Sequence, residues 1–206
     1  SWINNFIPYL IDKLWAQNHY VSWINDTKYM SKGDICFILS FSKILDKKSL
    51  NFNKNNIVVH ESDLPEGKGW SPMAWQILEG KKNIPIVLFE ASESIDSGNI
   101  YLRDIINLNG DELVDEWREK QFSSTKKLIM KFILDFKKFE TISLNTYKSE
   151  SKYRRRSVSD SSLDIKKSIE DQYSLLRVVD NEKYPAYFIL NDKKYIIQIE
   201  KCLKNQ

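Results

Sequence analysis

Three short apolar runs, at residues 35–41, 56–60 and 84–89, constrain this chain more than any other feature. Each is short and apolar, and a helical pattern at 72–78 lies between the second and third. Such runs read as buried strands, and strands alternating with helices build βαβ units and a mainly parallel sheet. The fold class is therefore α/β. Further strands are expected at 19–24 and 100–102, and helices at 72–78, 113–136 and 165–176. The chain opens on a helix, with Ile3, Phe6, Ile7, Leu10, Ile11 and Leu14 on one stripe. A helix that covers a parallel sheet usually follows a strand, so a first strand is expected upstream of Ser1.

The C-terminal third differs in composition. Residues 148–164 are polar and Ser-rich and contain Arg154-Arg155-Arg156, which reads as a solvated linker rather than a nucleic-acid site because base-stacking aromatics beyond Tyr153 are missing. Strands at 186–190 and 195–199 flank Asn191-Asp192, a pair that tolerates the positive φ angles of a two-residue hairpin turn. An isolated hairpin is marginal, so Tyr187, Ile189, Tyr195 and Ile197 are expected to pack on another surface, such as a second subunit. The expected organisation is a catalytic core at 1–140, a polar linker at 141–164 and a helix with hairpin at 165–206, in a homodimer.

Composition narrows the class further. The chain has 206 residues, 42% of them hydrophobic, and a net charge of +3, which does not mark a nucleic-acid binder. No apolar run reaches the roughly 18–20 residues of a membrane span, and no signal peptide is evident. Cys36 and Cys202 lack metal-ligand spacing and read as reduced thiols. The expectation is a cytoplasmic protein with no metal site.

The chemistry-bearing residues lie at the ends of two strands. His60 ends the run Ile57-Val58-Val59, at the rim where ligands bind in open α/β sheets. Ser62 falls on the same face if the strand continues. Asp96, in Asp96-Ser97-Gly98, follows the strand at 84–89, and Gly98 permits a tight reversal there. The alternatives are a rim histidine without chemistry and an aspartate that caps its own loop. Gly67 and Gly69 allow backbone to approach a ligand, while Ser71-Pro72 equally suits a plain helix start.

In order, His60-Glu61-Ser62-Asp63-Leu64-Pro65, Gly67-Lys68-Gly69-Trp70-Ser71-Pro72, Leu78-Glu79-Gly80 and Asp96-Ser97-Gly98 resemble the core of the N10-formyltetrahydrofolate-dependent formyltransferases. The wording is most similar to the sugar N-formyltransferases. The resemblance implies a Rossmann-like fold and transfer of a formyl group from N10-formyltetrahydrofolate to the amine of a nucleotide-linked amino sugar. A dTDP-4-amino-4,6-dideoxyhexose for surface polysaccharide or O-antigen is the expected acceptor. Glycinamide ribonucleotide is the nearest alternative, and methionyl-tRNA fits less well because that branch carries a larger C-terminal barrel. A non-catalytic folate- or nucleotide-sugar-binding protein is the alternative from another class.

The resemblance assigns His60 and Asp96 to catalysis, with His60 stabilising the tetrahedral oxyanion or taking a proton and Asp96 orienting it or a water. It places the pterin against Ser40, Phe41, Ser42, Lys43 and Ile44 on one loop and Phe89, Glu90, Ala91 and Ile95 on another. Core packing is the other reading of Phe41, Ile44 and Phe89. Ser62, Lys68, Gly69, Trp70 and Ser71 would meet the substrate, Lys68 through a phosphate or the folate glutamate tail. One departure stands out: the family's Asn two residues before the His is Val58 here. Asn55 and Asn56 lie four or five residues before His60, about 13 Å or more along an extended strand, leaving backbone N–H groups, Ser62 or Asn99 as replacement donors.

Overall fold

The computed structural model of the protein describes residues 1–136 and 149–202. Part of the expected linker, 137–148, and residues 203–206 lie outside the described residues.

A 3-10 turn at Trp2–Asn5 leads into α1 (Ile7–Trp15), which starts on Pro8 and buries Ile7, Leu10 and Leu14 together with Ile3 from the turn. The central sheet contains β1 (Gly33–Ile38), β2 (Asn53–His60), β4 (Asn83–Glu90) and β5 (Ile100–Asn107), in the order β1-β2-β4-β5. A one-turn helix, α2 (Lys47–Leu50), capped by the Asp46 carboxylate on the Ser49 N–H, connects β1 to β2. The short β3 (Lys68–Gly69) and α3 (Pro72–Leu78) separate β2 from β4.

The α/β class and the flanking helices are as expected, but the strand directions are mixed. The pair β1–β2 is parallel, whereas β2–β4 and β4–β5 are antiparallel. Helix length along the chain does not fix strand direction: β1 and β2 are parallel although only the four-residue α2 lies between them, whereas β2 and β4 are antiparallel across the seven-residue α3. The strand expected at 19–24 does not form. Tyr20 is 98% exposed there, and Trp23 and Ile24 are also exposed, so little burial is available to hold a pleat.

The longest helix, α4 (Val114–Asp135), begins with Asp115 and Glu116, whose negative charge suits the positive end of the helix dipole. The Glu116 carboxylate also accepts the Leu113 N–H at 2.7 Å. Its buried residues Trp117, Gln121, Thr125, Leu128 and Phe132 follow one helical face. Phe122 stacks on Phe6 with ring centroids 4.5 Å apart, which locks the N-terminal turn to α4. Together α1, α4 and the sheet enclose the main core around Ile57, Ile77, Ile84, Leu88, Ile129 and Phe132.

The described part of the expected linker carries regular structure. Within it, β6 (Lys152–Tyr153) pairs in parallel with β3, and a 3-10 turn forms at Val158–Ser161. The expected helix at 165–176 is shorter and later, as α5 (Tyr173–Val178). The strands β7 (Ala186–Leu190) and β8 (Lys193–Ile197) form the hairpin, with Asn191 and Asp192 at φ 50° and 57° in its turn. The aromatic and aliphatic residues expected to pack together divide between two faces. Ala186, Phe188 and Ile197 pack on Leu163, Leu176 and Val179, while Ile189 and Ile196 are exposed. Among the described residues no helix is long and apolar enough to cross a membrane.

Candidate active site

The last residue of β2 is His60, which is 6% exposed. Beyond it the chain turns back on itself, with the Ser62 N–H donating to the His60 carbonyl at 3.0 Å. The Leu64-Pro65 peptide is cis, and the loop then returns so that the Gly67 carbonyl accepts from His60 Nε2 at 2.9 Å. A carbonyl only accepts, so the neutral ring carries its proton on Nε2 and leaves Nδ1 as the basic nitrogen. Nδ1 makes no hydrogen bond to a described residue.

Asp96 approaches from the loop after β4, in a left-handed conformation at φ 48°. Its Oδ2 accepts the Gly69 N–H at 2.8 Å and lies 3.7 Å from His60 Nε2. The two side chains are 8% and 13% exposed. At 3.7 Å Asp96 acts on the ring by charge, not as its hydrogen-bond partner. The ring is oriented instead by the Gly67 carbonyl. Gly98 makes this loop possible, because a Cβ there would fall 1.6 Å from the Glu90 carbonyl oxygen.

The loop that holds both residues is itself fixed from a distant part of the chain. The Gly67 N–H donates to Ser151 Oγ, the Lys68 N–H to the Ser151 carbonyl and the Trp70 N–H to the Tyr153 carbonyl. At Gly69, φ is +101° and a Cβ would meet the Tyr153 carbonyl at 2.4 Å, so the close approach of β6 demands glycine. Tyr153 donates to the Glu79 carboxylate at 2.9 Å and lies parallel to Trp75. Burial and the Glu79 bond raise its phenol pKa. Trp75 in turn donates to the Arg154 carbonyl, and the Arg154 guanidinium lies over the Trp75 ring.

His60 and Asp96 face a cavity of about 470 Å³, within the range of small-molecule sites. Ser40, Phe41, Ser42, Lys43, Ile44, Phe89, Ala91 and Ile95 line one side of it, and Gly69, Trp70 and Ser71 another. Three of the expected contacts lie elsewhere. Glu90 points away from the cavity and accepts from Asn55, Tyr101 and the Asn56 N–H. With burial, that arrangement pushes the Tyr101 phenol up to about 12. Ser62 is buried beneath Gly67, its hydroxyl without a hydrogen-bond partner. Lys68 is buried and ion-paired with Glu150 at 3.0 Å, so its charge is already met. Period-two alternation placed Ser62 on the face of His60 only if β2 continued, and β2 ends at His60.

Val58 lines the cavity and also packs on Leu64 and Phe89. Neither nearby asparagine replaces an amide at that position. The Asn56 amide donates to the Leu50 carbonyl, and the Asn55 amide to Glu90 and Tyr101. Ser71 precedes Pro72 at the start of α3 without making a side-chain cap.

Several lining residues had no place in the sequence reading. Glu61 accepts from Gln121 Nε2 at 2.7 Å, and burial raises its carboxyl pKa, opposed by His60 and Gln121. Gln121 and Thr125, four residues apart on the apolar stripe of α4, were the available signal. Arg118, Arg155, Arg156 and Asp180 close the far end of the cavity.

A strand-end histidine and a loop aspartate thus face one cavity on an α/β sheet. A family model for formyl transferases matches residues 12–133, and this chain belongs to that family. Methionyl-tRNA formyltransferase of Buchnera aphidicola subsp. Acyrthosiphon pisum (strain Tuc7) is 41% identical over 83 residues, 37% of this chain and 26% of that protein. The chain thus spans about a quarter of the length of the curated relatives it first matches. Among solved structures, a 4-N formyltransferase from Francisella tularensis aligns at TM-score 0.68 and 21% identity, over 94% of this chain and 82% of its own. HypX from Aquifex aeolicus, in complex with tetrahydrofolic acid, aligns at 0.76 and 14% identity, over 99% of this chain and 38% of its own. At these identities the structural likeness establishes the fold.

Proposed function

We propose that this chain transfers a formyl group from N10-formyltetrahydrofolate to an amine, with a nucleotide-linked amino sugar as the acceptor. The observation that carries this reading is the meeting of His60 and Asp96, 3.7 Å apart, at a cavity whose neighbouring wall is Phe41, Ile44, Phe89 and Ile95. Those apolar side chains suit the flat faces of a pterin. When bound, the folate supplies a formyl carbon open to attack by the amine.

His60 Nδ1 is the atom that receives the proton leaving the amine and returns it to the departing folate nitrogen. As an imidazolium the ring donates from Nδ1 to the charge building on the formyl oxygen, while Nε2 keeps its bond to Gly67. Asp96 supports that charged ring from 3.7 Å and, through its second oxygen, can hold a water at the ammonium. With Val58 in place of an amide, the oxyanion depends on His60 and on backbone N–H groups. Loss of one such donor typically costs about 10²–10³ in turnover, so a slow enzyme is expected.

A second acceptor is favoured by a specific observation, the 41% identity to a methionyl-tRNA formyltransferase. Incubation with N10-formyltetrahydrofolate and a panel of dTDP-, UDP- and GDP-linked amino sugars, beside charged initiator tRNA, separates the two. A formylated sugar, lost in His60→Ala, supports the first acceptor, and formyl-methionyl-tRNA alone would replace it with the second. Tetrahydrofolate binding without any transfer would make the chain a binding protein. The exposed hairpin face with Ile189 and Ile196 is the proposed homodimer contact, and light scattering of a hairpin-deleted chain that stays dimeric would sink it.

A further inference from the structure

The far wall of the cavity carries a guanidinium that makes no ion pair to a described residue. Arg156 donates from Nη1 to the Val178 carbonyl at 3.0 Å and from Nη2 to the Asp160 carbonyl at 3.3 Å, and its Nε is buried without a partner. Both partners are neutral. The nearby Asp160 carboxylate is already held by the Arg154 guanidinium and the Ser157 N–H. Among the described residues no carboxylate lies within ion-pair distance of Arg156. Burial lowers its pKa, opposed by the charge of the nearby Asp160 carboxylate, with which it makes no direct ion pair. Arg156 is half-buried on neutral partners, and partial removal of an ion from water is costly, so the cavity beside it favours an anion.

The neighbouring groups agree in sign. Arg155 is exposed at the same wall, and its side chain makes no hydrogen bond or ion pair to a described residue. Arg118 also lines the wall with its Nε buried and unpartnered, although Asp180 takes its Nη1 at 3.0 Å. Arg118 is thus met by Asp180 and, at 3.9 Å, by Asp115, while Arg155 and Arg156 make no ion pair to a described residue. Ser157, Ser161 and Tyr184 line the same wall and add neutral hydroxyls. Planar guanidinium forks match phosphate oxygens in paired hydrogen bonds.

We propose that Arg155 and Arg156 bind a phosphate or diphosphate of the acceptor, so that the segment expected to be a solvated linker is the acceptor-recognition wall of the cavity. The assignment to the acceptor rests on the formyl-transfer reading; the anion site itself does not. It places the acceptor's anionic part against the C-terminal segment and its amine toward His60.

Calorimetric titration of the whole chain with pyrophosphate tests this, using Arg156→Gln, Arg155→Ala and the double variant. Tetrahydrofolate is titrated in parallel as its mono- and triglutamate. Pyrophosphate should bind the parent chain, and each variant should bind it at least about tenfold more weakly, the value of a charge-assisted hydrogen bond. Monoglutamate affinity should be unchanged. Arg155→Ala touches no structural contact, so it carries the test if Arg156→Gln fails to fold. No pyrophosphate binding by the folded parent chain, or equal binding by the variants, overturns the site. Variants that lose only the triglutamate show that the anion is the folate tail and overturn the assignment to the acceptor. Failure of every tetrahydrofolate form to bind, with pyrophosphate still held by Arg155 and Arg156, counts against formyl transfer and for the anion site.

Discussion

The two walls of the cavity hold their key side chains in the same way but are built differently. His60 is oriented by the Gly67 carbonyl, and Arg156 by the Val178 and Asp160 carbonyls. The wall with His60 belongs to a sheet whose strands enclose the main core. The wall with Arg156 is a coil attached to that core by polar links of long sequence separation. Trp117 Nε1 donates to the Arg177 carbonyl, and Arg177 pairs with Glu112 at 3.3 Å, both side chains about 5% exposed or less. A strand end fixes a side chain through local geometry, whereas a coil needs a specific partner for each backbone turn. The sheet wall should therefore lose chemistry when mutated and keep its shape, and the far wall should do the reverse.

His60→Ala is the largest test of the first half of that contrast. Formyl transfer should fall by about 10²–10⁴-fold, the range for general acid–base help, with the melting temperature nearly unchanged. A variant that unfolds, or that keeps its rate, would remove the distinction between the walls.

Glu112→Gln tests the second half. The Glu112 carboxylate accepts from Lys120, from the Asn109 and Gly110 N–H groups and from Arg177. Burial works against its ionised form, but these donors prevail and hold its pKa at about 2, below the ordinary 4.5. The substitution leaves Arg177 buried and unpaired, which typically costs about 3–5 kcal/mol. The pH dependence follows from a depressed pKa: the stabilisation is complete above about pH 4.5 and is lost as pH falls toward 2. Acid denaturation followed by circular dichroism should show a stability loss in that window that is smaller in Glu112→Gln, the remainder coming from other carboxylates held low, such as Asp180. A matching acid profile in both proteins would refute the role given to this carboxylate.

Gly69→Ala strikes the joint between the walls, where β3 meets β6. The new methyl would sit 2.4 Å from the Tyr153 carbonyl at a φ of +101°, and the left-handed conformation alone costs about 1–2 kcal/mol. Because the Gly69 N–H also holds Asp96, both transfer rate and pyrophosphate affinity should fall. Loss of one without the other would show that the walls are independent.

What the sequence made legible follows the same division. The helix at 72–78, the strands at 56–60 and 84–89, the hairpin turn and the cavity-facing positions of His60 and Asp96 all follow from local pattern. Apolar runs, Pro72 and Asn191-Asp192 each carry a nearest-neighbour preference. The far wall does not. Arg154, Arg155 and Arg156 look alike in sequence, yet one lies over Trp75, one is exposed and unpaired to any described residue, and one is half-buried on backbone carbonyls. Nothing local distinguishes them, because each environment comes from a partner at a distance along the chain. Lys68 and Ser62 lie off the cavity lining for a related reason: a loop folded back by Ser151 and Tyr153 turns them inward. The reversed strand directions were equally hidden, since polarity of pairing leaves no mark in composition.

The smallest expected effect lies outside both walls and shows how the far one is supported. Asn191 and Asp192 both have positive φ, so Asn191→Ala should cost about 1 kcal/mol in the hairpin turn. The hairpin's inner face packs on Leu163, Leu176 and Val179. Val179 follows Val178, whose carbonyl holds Arg156. A looser hairpin should therefore speed hydrogen exchange at the Leu190 and Lys193 amides and slightly weaken pyrophosphate binding. Tetrahydrofolate affinity should not move, because the sheet wall has no contact with the turn. Equal weakening of both ligands would mean that the hairpin supports the whole cavity, and the contrast between a sheet-built wall and a coil-built wall would fail.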